Sequence, residues 1–176
     1  MKKKLAVLAA FAAIALLPNT SRAITGTVNA TAKISPPLRI APVRTLDFGD
    51  LLIDGVNTGS ASISVLGAGL YTNVTQLGTP AAGRFTITGR AGQAINTLSI
   101  AGNAPATCTV VNAGDCAATT NTLGVASGTM DQAPGVIIPG ATGTGVVTVN
   151  YGGVVNTAID QSSGQYNMTL TVTAAY

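Results

Sequence analysis

The 176-residue sequence contains no histidine, no glutamate and no tryptophan, and only 9% of it is charged. Without histidine there is no Ser-His-Asp or Cys-His nucleophile, because that chemistry needs a base titrating near neutrality. Paired-carboxylate hydrolysis would rest on six aspartates alone: Asp47, Asp50, Asp54, Asp115, Asp131 and Asp160. The first three are close enough in the chain to consider for calcium, but their spacing matches no EF-hand loop and they read as solvated turn residues. Glycine-rich runs such as 140–145 lack the Lys-Ser/Thr ending and the following helix of a phosphate loop, and read as turns. No catalytic, cofactor or metal residues are assigned, and the chain is read as a non-enzyme. The scarcity of charge points the same way. A soluble monomer normally keeps a charged surface, whereas a surface this neutral suits a protein that becomes covered in an assembly.

Long hydrophobic runs are also missing. The longest, residues 5–17, has about 13 residues against the roughly 20 that a membrane span needs. It follows Lys2, Lys3 and Lys4 and is closed by Pro18 and the small-residue pattern Ser21-Arg22-Ala23. That layout is a secretory signal, residues 1–23, with cleavage expected between Ala23 and Ile24. The protein is expected to pass through the periplasm to the cell surface and to meet the membrane only during export. Four of the nine cations, Lys2, Lys3, Lys4 and Arg22, belong to this segment. The remaining Lys33, Arg39, Arg44, Arg84 and Arg90 face six aspartates, so the rest of the chain is close to neutral and the basic pI is no sign of nucleic-acid binding. Cysteine is nearly absent too. An even pair in an exported protein is expected to oxidise, so Cys108 and Cys116 are read as a disulfide closing a turn-prone loop around Asn112-Ala113-Gly114-Asp115. No histidine or further cysteine is present to complete a zinc shell.

What is abundant is Thr, Val, Ala, Gly and Asn, the residues of pleated strands and their turns. Residues 24–34 alternate without a fault: Ile24, Gly26, Val28, Ala30, Ala32 and Ile34 against Thr25, Thr27, Asn29, Thr31 and Lys33. Pro36-Pro37 stops that strand. Further strands are predicted at 46–52, 61–66, 73–77, 84–88, 94–100, 106–111, 122–126, 145–151 and 165–176. In the last, Tyr166, Met168, Leu170, Val172 and Ala174 share one face and Asn167, Thr169, Thr171 and Thr173 the other. No helical period is found outside the signal. Many short strands with turns every eight to twelve residues predict an all-β antiparallel sandwich, organised as signal 1–23, N-terminal strand 24–35 and sandwich domain 36–176.

Four segments recur in an order that resembles a known family. They are Leu46-Asp47-Phe48-Gly49, Gly83-Arg84-Phe85-Thr86-Ile87-Thr88-Gly89, Val149-Asn150-Tyr151-Gly152-Gly153, and the closing run from Gly164-Gln165-Tyr166 through Val172. Together they resemble a proteobacterial family, domain of unknown function 4402. The alternating first strand, the Leu-Asp-Phe-Gly motif and the Gly-x-Tyr final strand are also similar to spore-coat-U-type pilins of the chaperone–usher route. Those domains carry a cysteine just after the first strand, where this chain has Ser35-Pro36-Pro37.

The resemblance implies an immunoglobulin-like pilin fold and a structural role. It implies a fimbrial subunit that polymerises by donor-strand exchange, with a periplasmic chaperone and an outer-membrane usher as partners. In that reading the N-terminal residues Ile24, Gly26, Val28, Ala30, Ala32 and Ile34 enter a groove in the next copy. Tyr166, Met168, Leu170, Val172 and Ala174 form a groove wall that the chaperone covers. The alternative is a monomeric periplasmic or cell-surface binding module whose first strand completes its own sandwich. The alternation is the same in both.

Overall fold

The computed structural model describes residues 31–32 and 34–176. The chain divides into two compact units, Met1–Ile34 and Ser35–Tyr176. The signal segment, the Ala23–Ile24 cleavage site, Ile24, Gly26, Val28 and Ala30 lie outside the described residues. Ala32 and Ile34 are described and belong to no strand.

The second unit is all-β, with no helix among its residues. Its strands in chain order are β1 (Arg39–Arg44), β2 (Asp50–Ile53), β3 (Gly59–Ile63), β4 (Gly69–Thr72), β5 (Val74–Leu77), β6 (Gly83–Arg90), β7 (Ala94–Ile95), β8 (Thr97–Gly102), β9 (Ala106–Thr107), β10 (Thr122–Leu123), β11 (Val125–Met130), β12 (Val136–Ile137), β13 (Thr144–Thr157) and β14 (Leu170–Ala175). All named strand pairs are antiparallel. One six-stranded sheet runs β1-β6-β13-β3-β4, with β11 also on β13. Tyr151 pairs on both sides, with Gly83 and Met130, and Gly153 does so with Ile63 and Gly128. So β6 and β3 follow one another along one edge of β13, and β11 takes the other edge.

The facing layer is made of short pairs: β14-β8, β12-β7, β2-β5 and β10-β9. Two clusters of buried side chains lie between the layers. Phe85, Ile87, Ile95, Leu98, Ile138, Val147 and Val149 form one, joining β6 and β13 to β7 and β8. Phe48, Ala61, Ile63, Ala82, Leu123 and Val155 form the other, joining β3 and β13 to the region of β2 and β5. Ile63, Ile87, Ile95, Ile138, Val149 and Val155 are essentially sealed from water, each contributing about 1.5–3 kcal/mol relative to exposure. This is the sandwich-like, all-antiparallel arrangement predicted by the period-two patterning.

Some boundaries differ from the prediction, for physical reasons. The expected strand 46–52 is broken at Gly49, whose φ of 72° only glycine adopts freely and whose N–H donates to Asp47 Oδ1 (2.8 Å). Only its second half, from Asp50, becomes β2. The expected strand 145–151 runs on to Thr157, because Gly152 and Gly153 are laddered mid-strand and form no turn. The final strand starts at Leu170, five residues later than expected; before it, Gln165 makes only an isolated bridge to Thr109. Strands β1, β4 and β12 carry no clear alternation and are not anticipated.

Candidate functional site

Strand β1 forms one end of the large sheet. Its residues pair with β6: Arg39 with Thr88, Ile40 with Ile87, Ala41 with Thr86, Pro42 with Phe85, then Arg44 with Arg84 across a bulge at Val43. Residues directly opposite one another project to the same face. Ile87 and Phe85 are buried in the core, so Ile40 and Pro42 belong to the inward face. Yet every residue of β1 is exposed, and Ile40 keeps 40% of its surface where Ile87 keeps 0%. The facing layer does not reach over β1. Proline is tolerated there because an edge strand leaves half its N–H groups unladdered.

The opposite wall is the C-terminal segment. Strand β14 pairs with β8 from Leu170↔Gly102 to Ala175↔Thr97, and no described residue ladders with its other edge. Tyr166, Met168, Leu170, Val172, Ala174 and Tyr176 are all half-buried, alternating with exposed neighbours. Val172, Ala174 and Tyr176 pack on the first core cluster, and Tyr166 and Met168 on the second. Half-burial is what an inward face shows when it is covered on one flank only.

The two walls meet at one end. The Tyr176 hydroxyl accepts from the Arg90 backbone N–H (2.6 Å) and donates to the Pro36 carbonyl (3.0 Å). Gly89 makes room for it: a Cβ there would lie 2.6 Å from that hydroxyl and 2.5 Å from Leu38 Cδ2. At the far end Leu46, just past β1, packs on the same cluster as Met168 and Tyr166. Between these ends Ile40 and Pro42 stand on the β1 edge and Leu170, Val172 and Ala174 on the β14 edge; the strip between the two edges is referred to below as the seam.

A polar corner aims the C-terminal segment at this seam. The Tyr166 hydroxyl donates to the Ser162 carbonyl (2.7 Å) and accepts from Gln161 Nε2 (2.7 Å). An early tyrosine bonded to backbone a few residues upstream is the tyrosine-corner device of Greek-key sandwiches. Gln161 Nε2 also reaches the carbonyls of Thr120 and Thr122. The Cys108–Cys116 disulfide, with 5.6 Å between Cα atoms, staples the loop beside this corner. Thr109 and Gln165 exchange two backbone hydrogen bonds (2.8 and 3.0 Å), and Cys116 N–H donates to the Ser163 carbonyl (2.8 Å). Asp115 caps the loop. Accepting from the N–H groups of Asn112 and Val111, and from the Ser163 hydroxyl, holds its carboxyl below the ordinary range. Asp160 is lowered likewise by the hydroxyls of Thr119 and Thr120.

Of the three aspartates considered for calcium, Asp50 opens strand β2 opposite Leu77, and Asp47 and Asp54 serve local turns. Asp47 accepts from Gly49 N–H. Asp54 accepts from the backbone and side-chain amides of Asn57 and from Val56 N–H, which lower its pKa. Among the described residues no three carboxylates or cysteines converge on one point. A shallow cleft of about 260 Å³ between β2 and β5 is lined by Leu52, Ile53, Asp54, Asn73, Val74 and Thr75; Asp54 is its one charged group, and that carboxylate is taken up by its own loop. Sequence reasoning missed Ile40, Pro42 and Tyr176 as parts of the seam. Tyr176 alone had a signal, since it continues the even-numbered face from Tyr166.

No curated protein and no solved structure matches the chain. The family model described as Domain of unknown function (DUF4402) matches residues 38–176, from just before β1 to the last residue of the seam wall, and the chain belongs to that family.

Proposed function

We propose that the chain is a structural subunit of a bacterial surface filament of the pilus or fimbria type, exported through the periplasm. It polymerises head to tail when residues 24–34 of one copy are laid as a strand in the seam of the next. The observation that carries this reading is the inward face of β1, left exposed opposite buried partners. A strand inserted between β1 and β14 would ladder with two edges that pair with no other described residue and cover Ile40, Leu170, Val172 and Ala174. The alternating Val28, Ala30, Ala32 and Ile34 would supply its inner face. Each aliphatic side chain fully buried this way contributes about 1.5–3 kcal/mol, and main-chain hydrogen bonds add to it, as in β-augmentation generally. A head-to-tail contact that does not close makes an open filament. The half-covered β14 is then the edge a periplasmic chaperone would protect before an outer-membrane usher assembles the polymer.

A second reading, a monomeric periplasmic or cell-surface module, draws on the Tyr176 bridge, which already ties the two walls of the seam together within one chain. The test is deletion of residues 24–34. The subunit reading expects a folded, disulfide-bonded monomer that no longer forms filaments and that binds a synthetic peptide of sequence 24–34. Filaments that persist without the segment would sink it. The module reading expects the intact chain to stay monomeric at high concentration and the peptide to be ignored.

A further inference from the structure

Every cation among the described residues is an arginine on the β1–β6 pair: Arg39 and Arg44 on β1, Arg84 and Arg90 on β6. All four lie on the outward face. Strand β6 alternates strictly, with Gly83, Phe85, Ile87 and Gly89 buried, and Arg84, Thr86, Thr88 and Arg90 turned the other way. Arg39 sits opposite Thr88, and Arg44 directly opposite Arg84. Like charges placed directly opposite destabilise a sheet. Here no carboxylate answers them: Arg44 Nε donates to the Ala82 carbonyl (2.6 Å), Arg84 Nε to Asn150 Oδ1 (2.8 Å), and Arg90 Nη1 to Ser35 Oγ (3.0 Å). Asp131 borders the face but spends its two oxygens on the backbone and side-chain amides of Asn150. Asp47 turns to Gly49 N–H. A chain with so few charges thus sets its cations side by side, holds two guanidiniums by Nε, and leaves their terminal nitrogens without a hydrogen-bond partner among the described residues. That fork matches an oxyanion bidentately.

The two pairs, Arg44 with Arg84 and Arg39 diagonal to Arg90, stand about 20 Å apart along β6, given about 3.3 Å per strand residue. Between and beside them the face carries hydroxyls, Thr86 and Thr88 on β6 and Thr144 and Thr148 opposite Arg90 and Thr86 on β13, with one exposed valine, Val146, opposite Thr88. We propose that this face binds a linear acidic polysaccharide. Each arginine pair takes a carboxylate or sulfate group, the two groups lying several sugars apart along the polymer, and the threonines meet sugar hydroxyls. Among the described residues the outward face holds no aromatic ring on which a nucleic-acid base would stack, and no apolar stripe that would enter a lipid surface. It lies on the opposite side of the sheet from the seam, so the proposal stands whether or not the chain polymerises.

The test is retention of the purified chain on immobilised polygalacturonate and dextran sulfate, with neutral dextran and duplex DNA as comparisons. We expect retention by at least one acidic polymer, weakened by salt, and none by neutral dextran. Arg44→Gln with Arg84→Gln, and separately Arg39→Gln with Arg90→Gln, should weaken it by about tenfold or more per arginine. The carboxylate and sulfate arms show which oxyanion is preferred. Lysine at positions 44 and 84 keeps the charge and guards against loss of fold; it should recover only part of the affinity. Equal binding by the four-glutamine variant, no retention above neutral dextran, DNA held as tightly as the polysaccharide, or full recovery with lysine would each overturn the proposal.

Discussion

Replacing Cys108 and Cys116 by serine opens a cross-link between residues eight apart in sequence. For a loop of that size the chain-entropy relation gives about 8 cal/mol/K, or about 2.5 kcal/mol at 25 °C. In a domain of this length 1 kcal/mol corresponds to roughly 3 °C of melting temperature, so the variant should melt about 8 °C lower. The loss should not stay local. The stapled loop carries the Thr109–Gln165 pair and the Cys116–Ser163 bond, and these hold the backbone just before Tyr166. Freed from the staple, the loop should expose the amides of Thr109 and Gln165 to faster hydrogen exchange, while those of Ile87 and Val149 on β6 and β13 stay protected. The assay is thermal unfolding of oxidised parent and variant, with hydrogen exchange on both. A drop of under about 2 °C, with Thr109 and Gln165 still protected, would refute the reasoning, since the hydrogen bonds alone would then hold the corner.

Tyr166→Phe removes a hydroxyl that both donates and accepts at the corner, and should cost about 1–2 kcal/mol in a thermal melt, because Gln161 and Ser162 lose a buried partner. Tyr71→Phe should do the opposite. Its hydroxyl is buried with no hydrogen-bond partner among the described residues, and burial raises its pKa, so removing it should be neutral or stabilise by up to about 1 kcal/mol; a large loss in the same melt would reveal a partner. Asp54, Asp115 and Asp160 have carboxyls held below the ordinary value of 3.8. Their stabilisation is complete above that value and is lost as pH falls through the lower folded values. The melting temperature should therefore hold from neutrality to about pH 4 and fall below it, and Asp115→Asn should flatten part of that fall; a melting temperature unchanged down to about pH 2 would contradict this.

The walls of the seam were unequally legible. The C-terminal wall could be read because Tyr166, Met168, Leu170, Val172 and Ala174 alternate with threonines and asparagine, and one of their faces is partly buried. Strand β1 could not, since Arg-Ile-Ala-Pro-Val-Arg is exposed on both faces. A strand with no buried side has no reason to alternate, and Pro42 argues against a ladder unless the strand is known to lie at an edge. Gly49 and Gly152-Gly153 show the same limit at single residues. Gly49 lies inside the expected strand 46–52 and Gly152-Gly153 just beyond the expected strand 145–151, yet the first kinks its strand and the second pair is laddered inside the longest strand of the sheet, according to what stands alongside.

The sequence by itself determined the fold class, the absence of a histidine-based catalytic centre, the disulfide between Cys108 and Cys116, and which side of the C-terminal segment turns inward. All of these follow from composition or from periodicity within a few residues. Tertiary structure alone decided that β1 and β14 each pair on one side only among the described residues. It also decided that Arg44 meets Arg84 forty positions away, and that Tyr176 closes on Pro36 and Arg90. Pairing and register are non-local. They are selected by how the whole set of strands closes around Ile63, Ile87, Val149 and their neighbours, and a strand's own residues record only which of its faces that core has covered.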